Sequence, residues 1–246
     1  MSNTFYFKLL KIYSDIWARA HCRVVLSGEH HLENNQERRR IYIVSHPTTY
    51  DLPMLAHIAR NNFYIVVYQD PFKHPIAGWL FRNIGSPKLD TGNGDQMIAE
   101  SCRLIRANHP LVYSLKGYGV DFGQDVKPRT GGIRIAHGAQ ADIYPIHLMI
   151  EPKKMIFKYF KKRRGEVYPY TVFKDTLYFA TFCKPLRYPD YARENMGYEE
   201  FRKIAYRIET EFQATQKRLE QELTSNQDLH QNGKRKRGGS ARQVIL

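Results

Sequence analysis

In the stretch SHPTTYD a histidine, His46, directly follows the apolar run IYIVS, and an acid, Asp51, stands five positions further on. Imidazole gains and loses a proton near neutral pH. A carboxylate bonded to one ring nitrogen fixes the tautomer, leaves the other nitrogen as proton acceptor and stabilises the imidazolium that forms. Such a pair is a general base for a substrate hydroxyl or amine. Inside one regular helix, five steps of about 100° would set the two side chains roughly 140° apart and out of touch. Pro47 disfavours the α conformation for His46 and itself suits the first turn of a helix. The spacing therefore predicts a strand-to-helix corner, with His46 at the strand end and Asp51 reaching back from the early helical turns. A second arrangement also fits these residues: His46 capping the helix while Asp51 merely complements its dipole.

The flanking elements agree with a corner. IYIVS is a continuous apolar run of the kind buried on both faces of a sheet, and DLPMLAHIAR has helical period. Further on, FYIVVY reads as a strand and PIAGWLFRNI and QMIAESCRLIRA as helices, with LVYS, GGIRIAHGA and DIYPIHL following. This alternation predicts an α/β fold, a single domain around a mostly parallel or mixed sheet, whose ligands bind beyond the carboxyl ends of the strands. IYIVS ends where His46 begins. YPYTVFKDTLYFATFCKPLRYP adds strands, and Phe201, Ile204, Ile208 and Phe212 share one face of a closing helix.

Three segments follow: an amphipathic helix over 1–22, the α/β domain over 23–224, and a polar, basic tail over 225–246 expected to be disordered. In the first, Leu9, Ile12, Tyr13, Ile16, Trp17 and Ala20 fall on one face, and Lys8, Lys11, Asp15 and Arg19 on the other. That face either packs on the domain or beds in a lipid interface. The segment is too charged to span a bilayer and lacks the pattern of a signal peptide.

A 246-residue chain with 42% hydrophobic residues buries a sizeable core. Its formal charge of +14 attracts polyanions: nucleic acid, anionic headgroups or a phosphorylated substrate. Cys22, Cys102 and Cys183 are odd in number and far apart. This argues against a disulfide framework or zinc site and for a reducing compartment. His57, His74, His109, His137 and His147 lack the paired spacing of a helical metal site, so no metal is expected.

The form H-x4-D, together with its context, resembles the glycerolipid acyltransferase family, the lysophosphatidic-acid and lysophospholipid acyltransferases. VVLSGEHHL and IYIVSHPTTYDLPML are similar to that family's strand, turn and catalytic corner. RTGGIRIAHGAQADIYPIHL resembles its glycine-alanine helix and the strand after it, which carries a proline, here Pro145. The likeness covers about residues 23 to 187. It implies direct transfer of an acyl group from a thioester, on coenzyme A or acyl carrier protein, to the hydroxyl of a lysolipid acceptor. His46 would be the base and Asp51 its orienting group. No further cofactor is implied.

Two blocks depart from the family pattern. Thr91 stands where a phosphate-binding arginine would fall, leaving Lys88 as a substitute charge, and Lys116 replaces a glutamate before the retained Gly117. Lys88, Thr91, Lys116, Gly117 and Pro145 are accordingly the candidate substrate-binding positions, with amides near Gly117 or Lys116 itself as oxyanion donors. The departures also admit a catalytically inactive, membrane-binding relative.

KKMIFKYFKKRRG, residues 153 to 165, interleaves aromatic rings with seven basic residues, and KRKR occupies 234 to 237. Such stretches suit an anionic membrane surface, single-stranded nucleic acid, or a solvated surface element. With the His46–Asp51 pair in view they point to a peripheral protein on the cytoplasmic side of a membrane. A basic nucleic-acid-binding protein is the other class the charge admits, but the chain carries no nucleic-acid fold signature, so no specific nucleic-acid partner is expected.

Overall fold

A computed structural model of the chain describes residues 3–32, 38–46, 48, 51–59, 61–90, 92–116, 126–151, 156–161, 167–172 and 176–232. It opens with helix α1 (Asn3–His21) and strand β1 (Cys22–Ser27). The corner follows as β2 (Arg40–Val44) and α2 (Asp51–Ile58). Next come β3 (Tyr64–Ile65), β4 (Val67–Tyr68), α3 (Gln69–Lys73), α4 (Pro75–Ile84), β5 (Lys88–Leu89), α5 (Gly94–Arg106) and β6 (Leu111–Ser114). The second half holds α6 (Gly131–Ala139), β7 (Asp142–Ile150), β8 (Ile156–Lys161), β9 (Val167–Val172), β10 (Thr176–Phe182), α7 (Tyr188–Tyr191) and α8 (Tyr198–Asn232).

Six strands form the central sheet in the order β1-β10-β7-β2-β6-β3. β10 runs antiparallel to β7, while every other neighbouring pair is parallel. The sheet is thus mostly parallel, as the alternation of strands and helices requires. Because side chains alternate across a strand, β2 feeds two apolar layers. Ile41 and Ile43, both fully buried, pack with α5, α6 and the Ala205, Ile208 and Phe212 face of α8. Val44 on the opposite face packs with Phe7 and Leu10 of α1 and Met54 and Leu55 of α2. Each such buried aliphatic side chain contributes about 1.5–3 kcal/mol.

Three sequence expectations change. FYIVVY does not form one strand: Tyr64 and Ile65 pair with β6, whereas Val67 and Tyr68 leave the sheet to pair with β5. An apolar run shows burial but not which neighbour receives it. In α1 the packed stripe is Tyr6, Phe7, Leu10, Ser14 and Ala18, and Leu9, Ile12, Tyr13 and Ile16 face outward, Ile16 being 67% exposed. Two of the charged residues on the other face, Lys11 and Asp15, dock the helix. The Lys11 ammonium donates to the Ala56 and His57 carbonyls at the end of α2 (3.3 and 3.0 Å), and Asp15 bonds His57 Nδ1 at 2.7 Å. A cation on the unsatisfied carbonyls of a helix C-terminus is favourable. Finally, α8 continues past position 225 to Asn232, since no glycine or proline interrupts it before Gly233; the stretch from 233 to 246, with KRKR, lies outside the described residues. The 153–165 segment contributes β8, which pairs with β9 as an antiparallel hairpin.

Candidate active site

The corner after β2 is held from both sides. Ser45 N–H donates to the Ile146 carbonyl, and its hydroxyl donates to Leu148 O (3.2 Å) and accepts from Leu148 N–H (2.8 Å). A short side chain thereby extends the β2–β7 pairing past the last strand residue. His46 then takes a left-handed conformation with φ 47°. The Pro47 argument removes the right-handed helix as an option but does not point to this one. For a residue with a Cβ such a conformation costs on the order of 1–3 kcal/mol and persists where surrounding contacts impose it.

Those contacts converge on Asp51, which is 2% exposed. His46 Nδ1 lies 2.8 Å from Asp51 Oδ2. Thr48 donates its N–H to Oδ2 (3.3 Å) and its hydroxyl to Oδ1 (2.9 Å), and the Tyr178 hydroxyl donates to Oδ1 at 2.9 Å. A carboxylate accepts but does not donate, so the imidazole proton sits on Nδ1 and the lone pair on Nε2. Of the two arrangements the spacing allows, the structure holds the one in which imidazole and carboxylate meet. The Thr48-x-x-Asp51 spacing resembles a capping box and was a readable signal for part of this network. Tyr178 was not readable, since 127 positions separate it from Asp51 and only the β10–β7–β2 order brings them together.

His46 and Asp51 line a cavity of about 1250 Å³, larger than the roughly 300–1,000 Å³ of small-molecule pockets. Most of its wall is apolar, supplied by Leu10, Val44, Leu55, Ile65 and Phe81 among others, and its polar end gathers His46, Asp51, Tyr113, Ser114 and Arg129. β6 runs parallel beside β2, so Tyr113 and Ser114 end on the same rim as His46. Leu9, Tyr13, Ile76 and Trp79 line the cavity and are also exposed, so its mouth carries an apolar border.

Of the other sequence candidates, the three that the structure describes, Lys88, Lys116 and Pro145, do not line the cavity. Lys88 is exposed on β5 and paired with Asp90 at 3.1 Å; Asp90 reaches the cavity wall, Lys88 does not. Lys116 pairs with Glu209 of α8 at 2.6 Å, away from the lining. Pro145 is buried within β7, opposite Ile43, and is not part of the wall. Thr91 and Gly117 lie outside the described residues. Arg129, to which the sequence reading attached no chemistry, supplies a cation to the cavity instead. All three cysteines are buried, burial pushing the Cys22 and Cys183 thiols up to about 11 and Cys102 up as well, and none touches the cavity. Among the described residues no group of metal-binding side chains converges, and no helix is long and apolar enough to cross a membrane.

The sequence matches the family model described as Acyltransferase over residues 23–149, more than half of the chain. No match is found among curated proteins. Among solved structures the chain is similar to the 1-acyl-sn-glycerophosphate (LPA) acyltransferase PlsC from Thermotoga maritima. Sequence identity is 15%, the TM-score is 0.60, and the likeness spans 84% of this chain and 77% of the other. At that identity the likeness establishes a shared fold.

Proposed function

This chain belongs to the acyltransferase family, and we propose that it moves a fatty acyl group from an acyl thioester, on coenzyme A or acyl carrier protein, to the hydroxyl of a lysophospholipid-like acceptor. The observation that carries the proposal is the 2.8 Å contact between His46 Nδ1 and Asp51 at the polar end of a large apolar cavity. In this reading Asp51 holds the ring with its lone pair on Nε2. Nε2 takes the acceptor's hydroxyl proton as that oxygen attacks the thioester carbonyl. The C–S bond breaks, the new ester C–O bond stays, and the thiolate leaves with the proton returned by the imidazolium. The apolar wall suits an acyl chain. No covalent acyl-enzyme is needed, which agrees with thiols kept protonated and out of the cavity.

The protein works, on this reading, as a peripheral protein on an anionic membrane, on the cytoplasmic side. Support comes from the outward residues of α1, namely Phe5, Leu9, Ile12, Tyr13 and Ile16, which continue into Ile76 and Trp79 of α4 at the cavity mouth. Apolar and aromatic side chains beside Lys8 and Arg19 in a chain of net charge +14 match an anionic interface. The Ile12→Glu/Ile16→Glu double variant is expected to lower partition onto anionic vesicles by about tenfold or more while detergent-dispersed substrate is still turned over.

Purified protein given labelled acyl thioesters and a total lipid extract should yield a new acylated lipid that is missing with His46→Ala. The Lys116–Glu209 ion pair, which ties the altered family block to α8, favours a second reading: a catalytically silent relative that binds membranes. Vesicle binding without any acylated product across a broad acceptor panel would select it.

A further inference from the structure

Tyr178 is the largest fully buried side chain among the described residues. It stands on β10, level with Val24 of β1 and Ile150 of β7, in the apolar cluster that holds Val44, Met54 and Leu148. A phenylalanine would fill that space equally well. A hydroxyl among aliphatic side chains lowers stability unless it is paired, and this one donates to Asp51 Oδ1 at 2.9 Å.

The carboxylate divides its two oxygens between different tasks. Oδ1 accepts both hydroxyls, from Thr48 (2.9 Å) and from Tyr178, while Oδ2 accepts from His46 Nδ1 (2.8 Å) and the Thr48 N–H (3.3 Å). Two O–H donors on one oxygen fix how the group is turned and leave the other oxygen to the imidazole. They also draw charge away from it. A carboxylate that already accepts two hydroxyls holds an imidazolium less firmly than a bare one, since each hydrogen bond satisfies part of the negative charge. Asp51 thus orients the ring, and the phenol limits how strongly the ring is kept in the protonated form that cannot act as a base.

We propose that Tyr178 is a positioning residue that acts through Asp51: its hydroxyl keeps the His46 ring neutral, and so ready to take a proton, at a lower pH than the imidazole–carboxylate pair alone would allow. This rests on the acyl-transfer reading of the cavity, in which Nε2 is the base. The other titratable or charged groups that line the cavity are Tyr13 on α1, Tyr68 on β4, His74 before α4, Asp90 after β5, Tyr113 on β6 and Arg129 before α6. Removal of one buried hydroxyl on β10 alters none of these, so a shift that follows its loss reports the path through Asp51.

NMR titration of the His46 ring, assigned by comparison with His46→Gln, follows this without turnover. In Tyr178→Phe the titration midpoint of the ring should rise by about 0.5–1 pH unit. The acid limb of kcat/KM should move with it, a loss of about three- to tenfold at fixed pH that is regained at higher pH, while KM for the acyl thioester stays within about twofold. Thr48→Val removes the other hydroxyl from Oδ1 and should move the midpoint the same way, and Thr48→Ser should restore it. In an Asp51→Asn background, Tyr178→Phe should leave the midpoint where it is. A role confined to packing predicts instead a lower melting temperature for Tyr178→Phe at an unmoved midpoint. An unmoved or lowered midpoint, or a rise that persists in the Asp51→Asn background, overturns the proposal. A midpoint that rises as expected in a protein that transfers no acyl group keeps the role of Tyr178 and refutes the acyl-transfer reading.

Discussion

Two buried aspartates sit at opposite ends of the same sheet and are served by opposite kinds of partner. Asp51, just past the carboxyl end of β2, accepts, among the described residues, from groups that carry no permanent charge: an imidazole, a threonine hydroxyl and N–H, and a phenol. Asp142 opens β7 at the other end, across from Arg40. It accepts from Arg187 (2.7 Å), Arg38 (3.3 Å) and the Tyr188 N–H (2.9 Å). Burial works to raise the Asp142 carboxyl, but the Tyr188 N–H and the two guanidiniums outweigh it and hold the group below the usual carboxylate range. A guanidinium never gives up its proton, so the Asp142 cluster is a fixed clasp. An imidazole does, so the Asp51 cluster can pass charge to something in the cavity. On the proposed reading, the same residue type at two ends of one sheet is a fastener in one place and part of a proton-handling pair in the other.

The sharpest break of this contrast is a crossed pair of variants. Asp51→Asn should lower turnover by at least about a hundredfold, since an amide N–H facing Nδ1 favours the wrong tautomer, with only a modest fall in melting temperature. Asp142→Asn should do the reverse, costing about 3 kcal/mol of stability by leaving Arg187 without its carboxylate while kcat stays within about twofold. Denaturant melts and initial rates on both proteins decide it; parallel losses in the two would erase the distinction.

A smaller effect comes from acid. Burial pushes His147, whose ring nitrogens find no partner among the described residues, down to about 4 from an ordinary 6.5. The unfolded chain therefore binds the proton first. Stability is complete above pH 6.5 and falls as pH drops through 4, by roughly 3 kcal/mol in all. Asp142, whose folded value is depressed, adds a further loss only below the ordinary carboxylate range. Urea midpoints from pH 8 to 3 should show these two stages, and His147→Phe should flatten the first. Smallest of all, Tyr178→Phe removes one of several donors to Asp51, with an expected loss of about 1 kcal/mol and a fall in turnover of tenfold or less, read from the same melts and rates.

The sheet was legible because IYIVS, LVYS and DIYPIHL are apolar runs separated by helical periods, and His46 and Asp51 were legible because only a corner lets that spacing touch. What escaped depends on neighbours distant in sequence. Tyr178 reaches Asp51 through strand order, and Lys116 turns to Glu209 because α8 folds back across it. In α1 apolar residues lie on two sides, so periodicity gave the direction of a stripe without saying which stripe the domain would cover. The left-handed His46 escaped for a different reason, since a residue before proline is kept out of the right-handed helix without being told where else to go.

Thiol release from an acyl thioester in the presence of a lysolipid acceptor, followed for wild type and His46→Ala at equal folded concentration, bears most directly on the role given to the imidazole. The account predicts acceptor-dependent release by the wild type and a loss of about a hundredfold or more in the variant. Equal, acceptor-dependent release by both proteins would contradict it.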